Sequence, residues 1–369
     1  MRGAWVGALG GAVVAGAAGA VVGTRRHRAR RPDDPPTAES ATASAAEESA
    51  VPEPPGLPTW PGTSGQIVVA DDGVRLHVEL AGTPDAAVTL VFVHGYGLNR
   101  RSFRFQRRDL ADAARLVFYD QRSHGASGRS PVEACTIDQL GADLRAVLDA
   151  VAGDGPVVLV GHSLGGMTVL ALAEQAPELF GDRIVGVALL ATSAGRLSEL
   201  TLGLPKAAGL LLRRVRPRHL VGLSKGMPLL LALSSPRAVL GREGQGLTGA
   251  VVGSVVHRFS FGGDVDPALV RDVETMIGAT GTDVLAAFAP TFLDHDKFAA
   301  LPALARIPVA VVVGAADLMT PVEHSRTLAD ALPSAELTVL DDVGHMVTTE
   351  RPDEVERIVR RLLARSSRG

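Results

Sequence analysis

Val157-Val-Leu-Val-Gly161-His-Ser163-Leu-Gly165-Gly166-Met-Thr-Val-Leu-Ala171 joins a short apolar run to a glycine-flanked serine, then to a proline-free stretch of good helix formers reaching Gln175. The pattern predicts a buried strand, a sharp turn and a helix. A serine hydroxyl is a weak nucleophile at neutral pH, so using one takes a neighbouring base, a fixed exposed position and donors for the anion that forms. Gly161 and Gly165 lie two residues either side of Ser163, where side chains would collide if a strained turn pushes the hydroxyl outward. With 41 glycines in 369 residues, Gly-x-Ser-x-Gly is expected by chance about once in four such chains. Gly222-Leu-Ser224-Lys-Gly226 repeats it. Context separates the two, because Ser224 follows Arg216-Pro-Arg-His219 and meets Pro228 within one turn, which suits surface or helix-cap structure.

Outward from this stretch, strand-like and helix-like runs alternate. Strands are expected at Gln66 to Ala70, Arg75 to Leu80, Thr89 to Val93, Leu116 to Tyr119, Val157 to Val160, Ile184 to Leu190, Val309 to Val313 and Leu337 to Leu340. Helices are expected at Phe103 to Ala114, Ile137 to Val151, Leu164 to Gln175, Val322 to Leu332 and Pro352 to Arg365. Such alternation predicts an α/β fold: a mostly parallel, eight-stranded sheet covered by helices on both faces. It breaks between about Gly195 and Pro302, a span too long for a loop. Leu210-Leu-Leu212, Leu229-Leu-Leu231 and the Leu285 to Phe298 stretch predict a mainly helical cap there, over the catalytic edge of the sheet. Most of these leucines belong in the cap's own core, and an apolar cap face would favour hydrophobic substrates.

A composition of 46% hydrophobic and 21% charged residues is ordinary for a globular enzyme. The net charge of −3 gives no reason to expect a nucleic-acid partner or an acidic substrate. Cys135 is the single cysteine, so no internal disulfide can form, and no Cys/His group has zinc-ligand spacing. Ala4 to Gly23 carries no charge and is long enough to cross a bilayer, and Arg25, Arg26, Arg28, Arg30 and Arg31 follow it. The positive-inside rule makes residues 1–31 a membrane anchor with the catalytic domain cytoplasmic; an export signal is the alternative. Residues 32–65, rich in Pro, Ala, Ser, Thr and Glu, read as a disordered linker. The oligomeric state is left open.

Three further signals flank the serine in a set order. Leu90-Val-Phe-Val-His94-Gly95-Tyr96-Gly97 ends an apolar strand in a glycine turn. Phe118-Tyr-Asp120-Gln-Arg122-Ser123-His124-Gly125-Ala-Ser127 is a polar loop after another strand. Pro308 to Gly314 leads to Asp317, and Leu337 to Leu340 leads to His345, so a carboxylate and an imidazole each follow a strand. Together these motifs resemble the α/β-hydrolase superfamily, of serine esterase or lipase type with a cap domain. The polar loop matches that family's D-x-R-G-H-G-x-S motif except that Ser123 stands where the family has glycine.

The resemblance implies core segments at 66–194 and 303–369 with the cap at 195–302. It implies Ser163 as nucleophile, His345 as base, Asp317 as its orienting acid, and the Tyr96 and Leu164 amides as the oxyanion hole, with no metal or organic cofactor. His94 reads better as a residue that braces the loop than as a catalytic one. Asp341, Asp342 and His324 are rival titratable residues, with Asp264, Asp266, Asp294, His257, His295 and Asp296 in the cap; surface, hinge or capping roles suit them better. The expected reaction is cleavage of a small hydrophobic ester through an acyl-enzyme. Serine at the elbow speaks against epoxide hydrolases and haloalkane dehalogenases, where the family uses aspartate. Cofactor-free haloperoxidase, carbon–carbon hydrolase, amidase and thioesterase relatives remain alternatives, as do a lyase or synthase of this fold and a non-catalytic tethered binding protein.

Overall fold

β-branched and leucine-rich runs bounded by turn residues fold as strands. The computed structural model describes residues 64–197 and 256–366. The expected anchor, nearly all of the expected linker, the Leu210 and Leu229 clusters and Ser224 lie outside these residues. Among the described residues no helix is long and apolar enough to cross a membrane.

The strands are β1 (Ser64–Val69), β2 (Arg75–Gly82), β3 (Thr89–Val93), β4 (Arg115–Tyr119), β5 (Val157–His162), β6 (Ile184–Leu190), β7 (Val309–Gly314) and β8 (Ala335–Leu340). They form one sheet in the order β1-β2-β4-β3-β5-β6-β7-β8. β2 pairs antiparallel with both β1 and β4, and every other pairing is parallel. β1 begins at Ser64, within the stretch expected to be linker.

The main helices are α1 (Arg104–Asp109), α2 (Ile137–Val151), α3 (Leu164–Gln175), α4 (Pro267–Thr280), α5 (Thr282–Phe288), α6 (Val322–Ala331) and α7 (Pro352–Ser366). α2 starts at Thr136, whose hydroxyl accepts from Gln139 N at 3.1 Å and satisfies one orphan amide of the first turn. The helix expected over Phe103 to Ala114 is shorter. A 3₁₀ turn (Arg100–Phe103) leads into α1, which ends at Asp109. Beyond it Ala113 N turns back onto Leu110 O at 3.0 Å, because the chain must reverse within a few residues to enter β4.

The twofold alternation of side chains along each strand divides the core. Val91 and Val93 of β3 and Val157 and Leu159 of β5 face α2 and α3. Leu90, Phe92, Val158 and Val160 face the opposite layer, with Val355, Ile358, Val359 and Leu362 of α7. Burying each such side chain contributes about 1.5–3 kcal/mol. From β3 the chain passes to β4 on one side and returns to β5 on the other. Strand order therefore reverses at the carboxyl ends of β3 and β5, where open α/β sheets take ligands.

The segment between β6 and β7 carries α4 and α5 and is tied to the core at its two ends. Gly195 bridges Asp296, and Lys297 N donates to Ala194 O at 2.6 Å.

Candidate active site

Ser163 links β5 to α3 with φ +53° and ψ −118°, a conformation costly for any residue with a Cβ. Two hydrogen bonds hold it there. Ser163 N donates to Leu190 O at 2.9 Å, and Thr192 Oγ1 donates to Ser163 O at 2.7 Å. The flanking glycines are required by close approach: a Cβ on Gly165 would stand 1.9 Å from Val93 O, and one on Gly161 would stand 2.7 Å from Gly165 O.

The loop after β3 lies against this turn, with the Cβ position of Gly95 only 3.2 Å from Ser163 Cβ. Two buried histidines brace the loop. His94 Nε2 accepts from Gln121 N at 2.9 Å, which leaves Nδ1 as the protonated nitrogen, donating to Gly95 O at 2.8 Å. Leu98 N reaches the same carbonyl at 3.2 Å. In a trans peptide the C=O and N–H point opposite ways, so anchoring Gly95 O restrains the direction of the Tyr96 N–H without fixing the tilt of its plane. His124 Nδ1 donates to Arg122 O at 2.9 Å and its Nε2 accepts from Gly97 N at 3.2 Å. Burial pushes the His124 imidazole down to about 3 and also lowers that of His94, so both stay neutral. Neither Tyr96 N nor Leu164 N donates to an acceptor among the described residues. Leu164 is the first residue of α3, where the amide has no intrahelical partner.

After β7, Asp317 folds its own turn around its carboxylate. Oδ1 accepts from Met319 N at 2.8 Å and Thr320 N at 2.9 Å, and Oδ2 from Thr320 Oγ1 at 2.8 Å. Oδ2 also meets His345 Nδ1 at 2.9 Å. Burial alone would raise this carboxyl, but the imidazole and the Thr320 donors outweigh it and hold Asp317 below the usual carboxylate range. The carbonyl of His345 accepts from His162 Nε2 at 2.9 Å. Burial, with His345 beside it, pushes His162 down to about 3, and its Nδ1 has no partner among the described residues.

The structure therefore joins Asp317 and His345 directly and ties them to Ser163 through the neighbouring His162. No hydrogen bond links Ser163 Oγ to His345 among the described residues; in unliganded sites such bonds often tighten only when substrate arrives.

The polar loop after β4 is held by buried hydrogen bonds and ion pairs. Arg122 is fully buried and forks onto Asp143 at 2.6 Å from both Nε and Nη2, with Asp72 at 2.6 Å. Ser123 adopts φ +64°, the left-handed region where the family's glycine costs nothing, and its hydroxyl offsets part of the strain by accepting from Ser130 N at 2.9 Å.

Among the rivals, Asp341 and Asp342 are exposed, and Asp266 caps α4 by accepting from Ala268 N at 2.8 Å. His324 Nδ1 bonds Ser193 Oγ at 2.8 Å, and His295 Nε2 bonds Ser193 O at 2.8 Å; both brace the base of the β6–β7 segment. Sequence reasoning missed Thr320, although its place three residues after Asp317 is a recognisable turn signal. It also missed Glu350, whose carboxylate accepts from Gly344 N at 2.9 Å and Gly262 N at 2.8 Å.

The model of the alpha/beta hydrolase family matches residues 90–358. The chain belongs to this family. Within it, 3-oxoadipate enol-lactonase 2 of Acinetobacter baylyi is 27% identical over 277 residues, 75% of this alpha/beta hydrolase and 88% of that protein. Epoxide hydrolase 1 of Caenorhabditis elegans is 38% identical over 113 residues, so the match spans only 27% of that protein. Among solved structures, Est816, described as an N-acyl homoserine lactone degrading enzyme, superposes with a TM-score of 0.57 at 27% identity. That superposition covers 80% of this chain and 98% of the other. This alpha/beta hydrolase is thus similar to proteins named as a lactonase and as a lactone-degrading enzyme.

Proposed function

We propose that this chain is a serine hydrolase that cleaves carboxylic esters, including cyclic ones, through an acyl-enzyme on Ser163. The observation that carries the reading is the 2.9 Å bond between Asp317 and His345 beside the strained serine turn. His345 Nε2 takes the Ser163 proton as Oγ attacks the acyl carbon and later gives it to the leaving alcohol. Asp317 keeps the Nδ1 proton in place and stabilises the imidazolium. The Tyr96 and Leu164 amides bind the oxyanion, and water then hydrolyses the acyl-serine by the same steps in reverse. Lactones enter because two relatives are named for them. We further read the β6–β7 segment as a cap that walls the acyl site with apolar side chains. Serine rather than aspartate at position 163 favours this chemistry over epoxide opening.

A panel of p-nitrophenyl esters of increasing acyl length and one acyl lactone, run on wild type and Ser163→Ala, tests the reading. Turnover should fall by at least about 10⁴-fold in the variant. Retained turnover in Ser163→Ala overturns the mechanism.

A further inference from the structure

The loop after β3 is held from two sides. From the core, His94 fixes Gly95 O at 2.8 Å and His124 fixes Gly97 N at 3.2 Å. From the β6–β7 segment, Thr280 at the end of α4 directs its hydroxyl to Gly97 O at 3.0 Å, with Met276 O of its own helix at 3.2 Å. The phenol of Tyr96 donates to Leu285 O in α5, and the Tyr96 ring stands edge-on to Phe292 at 5.0 Å between centroids. α4 and α5 approach the loop closely, since a Cβ on Gly97 would stand 3.2 Å from Leu285 Cδ2 and 3.5 Å from Ile277 Cγ1.

Tyr96 therefore has two ends with different surroundings. Its amide faces away from the carbonyl that His94 holds, while its hydroxyl lies on the α5 backbone. Gly95-Tyr96-Gly97 is by itself a loose sequence, with Gly97 at φ +71°. An oxyanion donor is effective only when preorganised to within a few tenths of an ångström of where the charge forms.

We propose that Tyr96 and Thr280 are positioning residues that couple the β6–β7 segment to the oxyanion hole, so that docking of α4 and α5 sets the placement of the Tyr96 amide. The inference rests on the serine-hydrolase reading above. Under it, this segment is part of the rate-determining apparatus as well as a wall of the acyl site. Displacing α5 draws the Tyr96 side chain with it and turns the amide off the acyl oxygen, whereas an acyl group that fits beneath α4 and α5 leaves the donor in place.

The test uses Tyr96→Phe, which keeps ring and amide, Thr280→Val, and the double variant, all in the full chain. For p-nitrophenyl acetate, too small to contact much of the cap, kcat should fall about three- to tenfold in each single variant and further in the double. KM should be nearly unchanged. The rate of Ser163 labelling by a fluorophosphonate should fall in parallel, because its adduct uses the same donors. Unchanged kcat and labelling overturn the coupling, even if Tm falls, since that pattern describes packing alone. A change confined to KM overturns it as well. Wild-type protein that neither turns over the ester nor labels at Ser163 would instead remove the hydrolase reading, and the coupling with it. The two failures are thus told apart by the wild-type control.

Discussion

The carboxylate of Asp317 lies 2.9 Å from Nδ1 of His345, and its other lone pairs are taken by the Met319 and Thr320 amides and the Thr320 hydroxyl. An acid held this completely has one remaining freedom, the identity of the atom it offers to the imidazole.

Asp317→Asn keeps the shape of the turn while replacing that acceptor with an amide whose NH₂ can present the wrong polarity to Nδ1. The imidazole then prefers the tautomer with its proton on Nε2, where it cannot accept from Ser163. A fall in kcat of roughly 10³- to 10⁴-fold is expected for any p-nitrophenyl ester that the wild type cleaves. A loss smaller than tenfold would mean that another carboxylate orients His345.

Removal of Arg122 should damage the fold rather than the chemistry. Its guanidinium holds Asp143, which has no solvent exposure and whose carboxyl burial already raises. Arg122→Leu should cost roughly 3–5 kcal/mol in urea unfolding, because it leaves a buried carboxylate without its partner. The double variant with Asp143→Asn should recover part of that loss. Stability within 1 kcal/mol of wild type in the single variant would contradict the account.

Acid should destabilise the domain well above the carboxylate range. Burial holds His124 and His162 at about 3 and lowers His94, against about 6.5 in the unfolded chain. Below pH 6.5 the unfolded state therefore binds protons that the folded state refuses. Stability falls as pH drops from there toward 3, by up to about 1.4 kcal/mol per pH unit for each histidine. Urea midpoints measured between pH 7.5 and 4.5 should trace this decline, with a shallower slope in His162→Asn. A flat profile across that range would show that these imidazoles accept protons in place.

The fold was legible wherever a run kept a single side-chain period from end to end, since that period is a local property. Thr89 to Val93, Ile184 to Leu190 and Leu164 to Gln175 have the bounds that the pattern predicts. The end of α1 at Asp109 was not legible, because the residues beyond it are good helix formers and only the entry into β4 forces the turn. Ser163, Asp317 and His345 stand out in the sequence as candidates because each follows a strand, and the structure joins Asp317 to His345. Their supports do not stand out. Gln121 takes the Thr168 hydroxyl at 2.8 Å, Glu350 reaches Gly262, and Tyr96 reaches Leu285. These pairs are distant in the chain and share no periodicity that a sequence can display.

The turn at Ser163 rests largely on main-chain atoms of the neighbouring strands, with the Thr192 hydroxyl beside them: Leu190 O receives its amide, and Val93 O fills the place of a side chain at Gly165. No substitution deletes a carbonyl. The α4–α5 region, by contrast, meets the loop at Tyr96 through side chains that a single base change can replace. On the reading proposed above, the serine turn rests largely on main-chain carbonyls while the α4–α5 contact is made through replaceable side chains, so acyl preference would change with the nucleophile left in place.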